Sequence, residues 1–275
     1  MTACAVHYDS MRIACLQLAG QGLPHAMARR SAAMGLATRV ADVDLIVLPE
    51  LWPVGFFHFS DYAESAEPLD GPTVEFAVGM ARAHGCWVHG GSFVERGAAT
   101  LHGLDPLHNT SVLVDPAGEI ALLYRKNHLF GYGSEEAKLL VPGDDAPVVQ
   151  VDDLKVGAAT CYDLRFPELF RGMLDDGAEM FCITSAWPAA RLDHWRTLCQ
   201  ARAVENLAWL VACNAAGLDN GVPLAGHSIV VDPWGEIVAE AGSDQELLIA
   251  EIDPERVRDL RTEYPFLSDR QARHT

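Results

Sequence analysis

Apolar positions along the chain recur with two different periods. Residues 11–19 (MRIACLQLA), 44–50 (DLIVLPE) and 86–95 (CWVHGGSFVE) are runs of strand length, dense in aliphatic and aromatic side chains. Between them, residues from about Met27 to Val40 and the segment TVEFAVGMARAHG at 73–85 space apolar side chains three and four apart, as a helix with one buried face requires. The alternation continues. NTSVLVDPAGEIALLYRK at 109–126, APVVQV at 146–151 and KVGAATC at 155–161 read as strands, with a helix after Arg165. EMFCITSAW at 179–187, a helix LDHWRTLCQARAVENLA at 192–208, WLVACNAAG at 209–217, GHSIVVDPWGEIVAEAG at 226–242, ELLIAEID at 246–253 and a final helix from Pro254 complete it. This is the rhythm of an α/β protein, and no Ser- or Pro-rich linker interrupts it, so one domain is predicted.

One internal echo stands out. SVLVDPAGEI at 111–120 and SIVVDPWGEI at 228–237 each read as a strand, a D-P-x-G turn and a returning strand, because Pro fits the second turn position and Gly the fourth. Two hairpins among βα units predict mixed sheets, where a doubly wound nucleotide binder would have a purely parallel one. GGSF at 90–93 forms neither G-x-G-x-x-G nor a P-loop, so nucleotide binding has no support.

The 275 residues are 49% hydrophobic, enough for a large core, and carry 38 acidic against 20 basic residues for a formal charge of −18. That sign repels phosphate backbones and anionic lipid surfaces, which argues against nucleic acid as a partner. No stretch approaches the ~18 apolar residues of a spanning helix, so no membrane association is expected and the reading is a soluble, cytoplasmic protein. Seven cysteines without a C-x-x-C pair argue against a disulfide framework and against zinc. His84, His89, His102 and His108 likewise show no ligand spacing, and no metal is expected. Five cysteines lie in apolar runs, as small buried hydrophobes do. Cys161 differs: it ends a strand and is followed at once by the polar turn YDLR.

A thiol is a weak nucleophile until a base or a positive environment takes its proton. Two other strand ends offer partners. DLIVLPE ends in Glu50, and IALLYRKNHLF passes from strand to loop at Arg125 and Lys126. Singly, each is better read as a solvated strand terminus, a surface charge or a buried thiol. Together they supply what cleavage of an unactivated amide needs: a nucleophile, a base that later protonates the leaving amine, and a cation for the oxyanion.

LPELW with Glu50, YRKNHLF with Lys126 and TCYDLRFPEL with Cys161 resemble, in order, the three signature motifs of the nitrilase, or carbon–nitrogen hydrolase, superfamily. The likeness extends through GSEEAKLLVPG, HWRTLCQARAVENLAWLVACN and GHSIVVDPWGEIV, covering nearly all of residues 11–265. The resemblance implies a four-layer αββα sandwich with two mixed β-sheets in a single domain, a Glu-Lys-Cys triad, no cofactor, and a homodimer or higher homo-oligomer. It implies Cys161 as nucleophile and Glu50 as general base. Lys126, with the backbone N–H of Tyr162, is then the oxyanion site. A second glutamate, Glu136 in preference to Glu135, orients Lys126 and the substrate's amino group; a loop ion pair is the other reading of it. Residues 1–10 are read as an N-terminal extension or an upstream start, 11–265 as the hydrolase domain and 266–275 as a tail that lies over a neighbouring subunit or frays.

CYDLRFPEL is similar to the branch that holds omega-amidases and amidases of deaminated glutathione, whose substrates are small amides carrying a carboxylate. Tyr162 stands where nitrilases usually carry tryptophan, which counts against nitriles. Arg165 either pairs with a substrate carboxylate through its planar fork or braces the turn between Asp163 and Glu168. Phe130, Tyr132, Trp187 and His194 are further pocket candidates, in loops after the motifs. The segments 130–140, 187–193 and 215–225 are expected as the loops that set specificity. An N-carbamoyl amino acid amidohydrolase is the alternative within enzymes, and an inactive binding or scaffold protein of the same fold the alternative outside them. The Glu50, Lys126 and Cys161 set argues against the last. The apolar stripe Phe166, Leu169, Phe170, Met173 and Leu174 predicts a helix with a core face or a subunit face.

Overall fold

The computed structural model describes residues 10–20, 23, 26–98 and 105–271. Residues 1–9 of the expected N-terminal extension, Cys4 among them, as well as His102 and the last four residues of the expected tail, lie outside these.

The strands β1 (Met11–Gln17), β2 (Leu45–Val47), β3 (Trp87–Arg96), β4 (Leu107–Val114) and β5 (Ile120–Arg125) form most of one sheet. A second sheet takes β6 (Val148–Val151), β7 (Leu154–Thr160), β8 (Met180–Ser185) and β9 (Trp209–Asn214). The hairpin β10 (Ala216–Asp219) and β11 (Val222–Ala225) stands apart, β12 (Ile229–Val231) and β13 (Ile237–Glu240) complete the second sheet, and β14 (Glu246–Ile252) returns to the first. Strand orders are β14-β1-β2-β3-β4-β5 and β13-β12-β9-β8-β7-β6. In each sheet three consecutive parallel strands, β1-β2-β3 and β7-β8-β9, are flanked by antiparallel ones, so both sheets are mixed.

Side-chain alternation builds the layers. In β8, Met180 and Cys182 face the other sheet, in a core shared with Ile13, Cys15, Val47 and Leu122. Phe181 and Ile183 face the opposite way, onto the helices. Among those helices, α1 (Ala26–Ala37) and α3 (Pro72–His84) cover the outside of the first sheet through Ala33, Leu36, Val74, Ala77 and Met80. The one-turn α2 (Tyr62–Ser65) and α4 (Glu136–Leu139) lie near the site. On the second sheet α5 (Pro167–Asp175) and α6 (Leu192–Asn206) insert Phe170, Met173, Trp195 and Cys199. Burying each large side chain there contributes about 1.5–3 kcal/mol. The final helix, α7 (Glu255–Glu263), adds Val257 to the core between the sheets. The layers are therefore helix, sheet, sheet, helix, as the resemblance implies. On α5, Phe170, Met173 and Leu174 are buried and Phe166 and Leu169 partly so, which makes the stripe chiefly a core face.

The internal echo marks equivalent hairpins. In both, a register shift falls at the same step, Leu113/Val114 and Val230/Val231. Both turns carry the same bonds: Asp115 N to Glu119 O and Asp232 N to Glu236 O, each 2.9 Å. Residues 215–225, expected as a loop, form the β10–β11 hairpin instead. Asn220 (φ 47°) and Gly221 (φ 81°) both occupy the left-handed region, the geometry of a tight type I′ turn. No helix among the described residues is long and apolar enough to cross a membrane. In the expected C-terminal tail, Arg270 pairs with Asp175 at the end of α5.

Candidate functional site

Glu50, Lys126 and Cys161 each lie just past a strand: β2, β5 and β7 respectively. Glu50 follows a short apolar strand whose path is made by a bulge in β3. There Gly91 has φ 67°, and a Cβ on it would collide with the Pro49 carbonyl. Glu50 N donates to Ser185 O at 3.3 Å, and Ala186 N donates to Glu50 Oε2 at 2.9 Å, so the ends of β2 and β8 hold one another. Cys161 opens a one-turn 3₁₀ segment, Cys161–Arg165, and takes φ 46°, a strained conformation for a side-chain-bearing residue.

Asp163 secures that turn. It is fully buried, and its Oδ2 accepts from Thr160 N at 2.9 Å and from the Tyr124 hydroxyl at 2.7 Å. Its Oδ1 accepts from His128 N at 2.9 Å and lies 2.8 Å from His128 Nδ1. The segment before Cys161 and the segment after Lys126 are thus tied to one carboxylate. The His128 ring stacks on Phe166 with centroids 3.8 Å apart.

Lys126 is 1% exposed, and its ammonium stands between two carboxylates. It donates to Glu50 Oε1 at 2.8 Å and to both oxygens of Glu136 at 3.0 Å. Asn109 Nδ2 bridges the same carboxylates, 2.9 Å from Glu50 Oε1 and 2.9 Å from Glu136 Oε1. Phe130 N donates to Glu136 Oε2 at 2.7 Å. Glu135 faces outward and pairs with Lys138, leaving Glu136 as the glutamate that meets the lysine.

Charge follows from this geometry. Burial alone would lower the Lys126 pKa, but Glu136, Glu50 and Cys161 pull it well above the ordinary value, so it is a firm ammonium. Burial raises Glu136; Lys126 opposes this and Glu50 adds to it, and the net direction is up. The Cys161 thiol is pushed well up, first by burial and then by the Glu50 charge, with Lys126 and the Ser185 hydroxyl opposing. Ser185 Oγ is buried and has no oxygen or nitrogen partner. Cys161 is therefore a neutral thiol beside an ion-paired cluster.

A cavity opens onto Cys161, its empty space about 320 Å³ with the open mouth included. Phe56, Phe130, Tyr162 and Trp187 form aromatic wall, and two guanidinium groups, Arg165 and Arg191, line it as well. Arg165 lies over the Trp187 ring at 4.9 Å and Tyr162 at 5.9 Å, and forms no ion pair with Asp163 or Glu168. Tyr132 departs from expectation: it is 83% exposed and outside this cavity. The loop reverses at Gly133 (φ 68°) while Phe130 is pinned to Glu136, which leaves Tyr132 at the tip. His194 is exposed on α6, its Nδ1 3.5 Å from Arg165 Nη2. Asn109, Phe56, Ser185 and Arg191 were not singled out from sequence. Only Asn109, a polar residue opening a β-branched strand, left a trace there. Among the described residues no group of three or more His, Cys, Asp or Glu could hold a metal ion.

Residues 12–262 match the carbon–nitrogen hydrolase family model. A 2-oxoglutaramate amidase of Paenarthrobacter nicotinovorans is 39% identical over 89% of this chain and 84% of its own. The crystal structure of Saccharomyces cerevisiae Nit3, a member of branch 10 of the nitrilase superfamily, superposes with a TM-score of 0.85 at 32% identity over 100% of both chains. An amidase from Nesterenkonia sp. AN1, in a mutant form with acrylamide added to its active-site cysteine, superposes with a TM-score of 0.79 at 27% identity, covering 94% of this chain and 99% of that one. Sequence, layer order and the match along almost the whole length agree: this chain belongs to the carbon–nitrogen hydrolase family.

Proposed function

We propose that the protein is an omega-amidase-like enzyme that hydrolyses a small carboxylate-bearing amide to the acid and ammonia through a Cys161 thioester. The observation that carries this reading is the Lys126 ammonium, bonded to both Glu50 and Glu136, beside a Cys161 that lines a cavity together with Arg165.

Glu50 takes the thiol proton as sulfur attacks the amide carbon, so no free thiolate is needed and the raised thiol pKa is no obstacle. The carbonyl oxygen becomes an oxyanion, met by the Lys126 ammonium and the Tyr162 N–H. Glu50 returns the proton to the nitrogen, the C–N bond breaks and ammonia leaves. Water then attacks the thioester as Glu50 removes its proton. Collapse of the second tetrahedral species releases the carboxylic acid and restores the thiol. Glu136 and Asn109 keep Lys126 and Glu50 in register, and Arg165 receives the substrate carboxylate. Phe130 and Trp187 form the walls. On the same family grounds we propose a homo-oligomer in solution; light scattering that returned the mass of a single chain would overturn it.

The test is ammonia release from 2-oxoglutaramate, deaminated glutathione, an N-carbamoyl amino acid and a nitrile, comparing the protein with Cys161→Ala. Turnover of a carboxylate-bearing amide that vanishes in the variant is expected. Preference for the N-carbamoyl compound, or turnover surviving the substitution, would overturn the reading.

A further inference from the structure

We propose that Arg191 joins Arg165 in a two-guanidinium receptor for the single carboxylate of the substrate, and that Arg191 thereby sets the preference for anionic over neutral amides. The proposal rests on the amidase reading above and names the group that gives it selectivity.

The chain carries 38 acidic against 20 basic residues. Away from the cavity Arg12, Arg39, Arg82, Arg96 and Arg261 form no ion pair among the described residues, and nine others are ion-paired. Arg165 and Arg191 are not, among the described residues, yet both line the cavity that opens on Cys161. Each is held by ring faces instead. Arg191 lies over Phe130 at 5.5 Å and Arg165 over Trp187 at 4.9 Å. Such stacking fixes the plane of a guanidinium while leaving its N–H edge free to donate.

The backbone at Arg191 is anchored on the same wall. Its carbonyl accepts from Trp187 Nε1 at 2.8 Å, and its N–H donates to Pro188 O at 3.0 Å. Arg191 thus enters the cavity from a fixed turn, Ala189–Arg191, at the start of α6. Two cations sharing an aromatic-walled cavity repel one another until an anion bridges them. A carboxylate, with two oxygens and about four acceptor positions, can take donors from both. A neutral amide leaves them uncompensated.

The experiment is steady-state kinetics on a monoamide of a five-carbon dicarboxylic acid and on butyramide, for the parent, Arg191→Gln, Arg165→Gln and the double variant. Arg191→Gln is expected to lower kcat/KM for the anionic amide about 10- to 100-fold, chiefly through KM, and to leave butyramide within about threefold. The double variant is expected to lose less than the product of the two single losses, because both side chains grip one group. Equal effects on both substrates, or multiplicative losses, would overturn the shared receptor. Calorimetric binding of glutarate to Cys161→Ala, with and without Arg191→Gln, reads the receptor without turnover. Tight glutarate binding weakened by the Arg191 substitution supports the receptor even where the amidase reading fails; binding indifferent to Arg191 overturns it.

Discussion

Replacing Asp163 with asparagine keeps the side chain's volume and takes away one acceptor oxygen. The consequence can be worked out from the four donors around it. Oδ2 accepts from Thr160 N and the Tyr124 hydroxyl, and Oδ1 from His128 N, with His128 Nδ1 beside it. Whichever way the new amide turns, its NH₂ faces a backbone N–H, at Thr160 or at His128. Tyr124 can reverse its hydroxyl, but a backbone donor cannot. One stranded donor plus the lost charge assistance on the remaining bonds costs about 3 kcal/mol. For a chain of this size that lowers Tm by about 6–12 °C. Thr160 immediately precedes Cys161, so the strained turn also loosens, and a nucleophile displaced by about an ångström costs on the order of 100-fold in kcat. Calorimetric melting and single-turnover acylation would measure the two effects. An Asp163→Asn protein that melts within a degree of the parent and acylates at the parent rate would refute the view that this carboxylate holds the turn.

Three further outcomes are expected. Glu50→Gln removes the second-largest influence raising the Cys161 pKa, so the variant should alkylate with iodoacetamide faster than the parent at pH 8 while hydrolysing no amide; slower labelling would contradict the charge assignment. His89 is buried with both ring nitrogens unpartnered, and burial lowers its pKa from 6.5 to about 4. The unfolded chain therefore binds a proton below pH 6.5 that the native protein refuses until about pH 4. Stability falls through that window by up to about 3 kcal/mol, and His89→Leu should flatten the acid side of the stability profile; parallel profiles would count against it. Asn109→Leu strips the bridge between Glu50 and Glu136 and should cut kcat by about 10- to 100-fold with little change in KM, since Asn109 stands behind the lysine and away from the cavity wall; a change confined to KM would oppose that placement.

Glu50, Lys126 and Cys161 were legible as candidates because each lies just past a strand, and strand ends can be read from where an apolar run stops. Glu136 was legible only through the resemblance. Its pairing with Lys126 closes a ten-residue loop whose path no local pattern encodes. Asn109 reaches a partner 59 positions away, and Arg191 lies before a helix, where a polar residue is unremarkable. The β10–β11 hairpin carried a readable Asn220-Gly221 signal, but Pro223 inside β11 hid the returning strand. Most of the architecture follows from local periodicity, whereas the site depends on contacts between distant segments.

The pairing of β14 with β1 joins two segments far apart along the chain, Met11 opposite Ile252 and Gln17 opposite Glu246. During synthesis the emerging β1 therefore offers an open edge of unpaired amides until β14 leaves the ribosome. At cellular elongation rates the roughly 230 intervening residues take about 10–50 s. The apolar surface of the first sheet spends that interval unfinished, which makes the nascent chain a natural client for chaperones and a candidate for strand-exchanged assemblies.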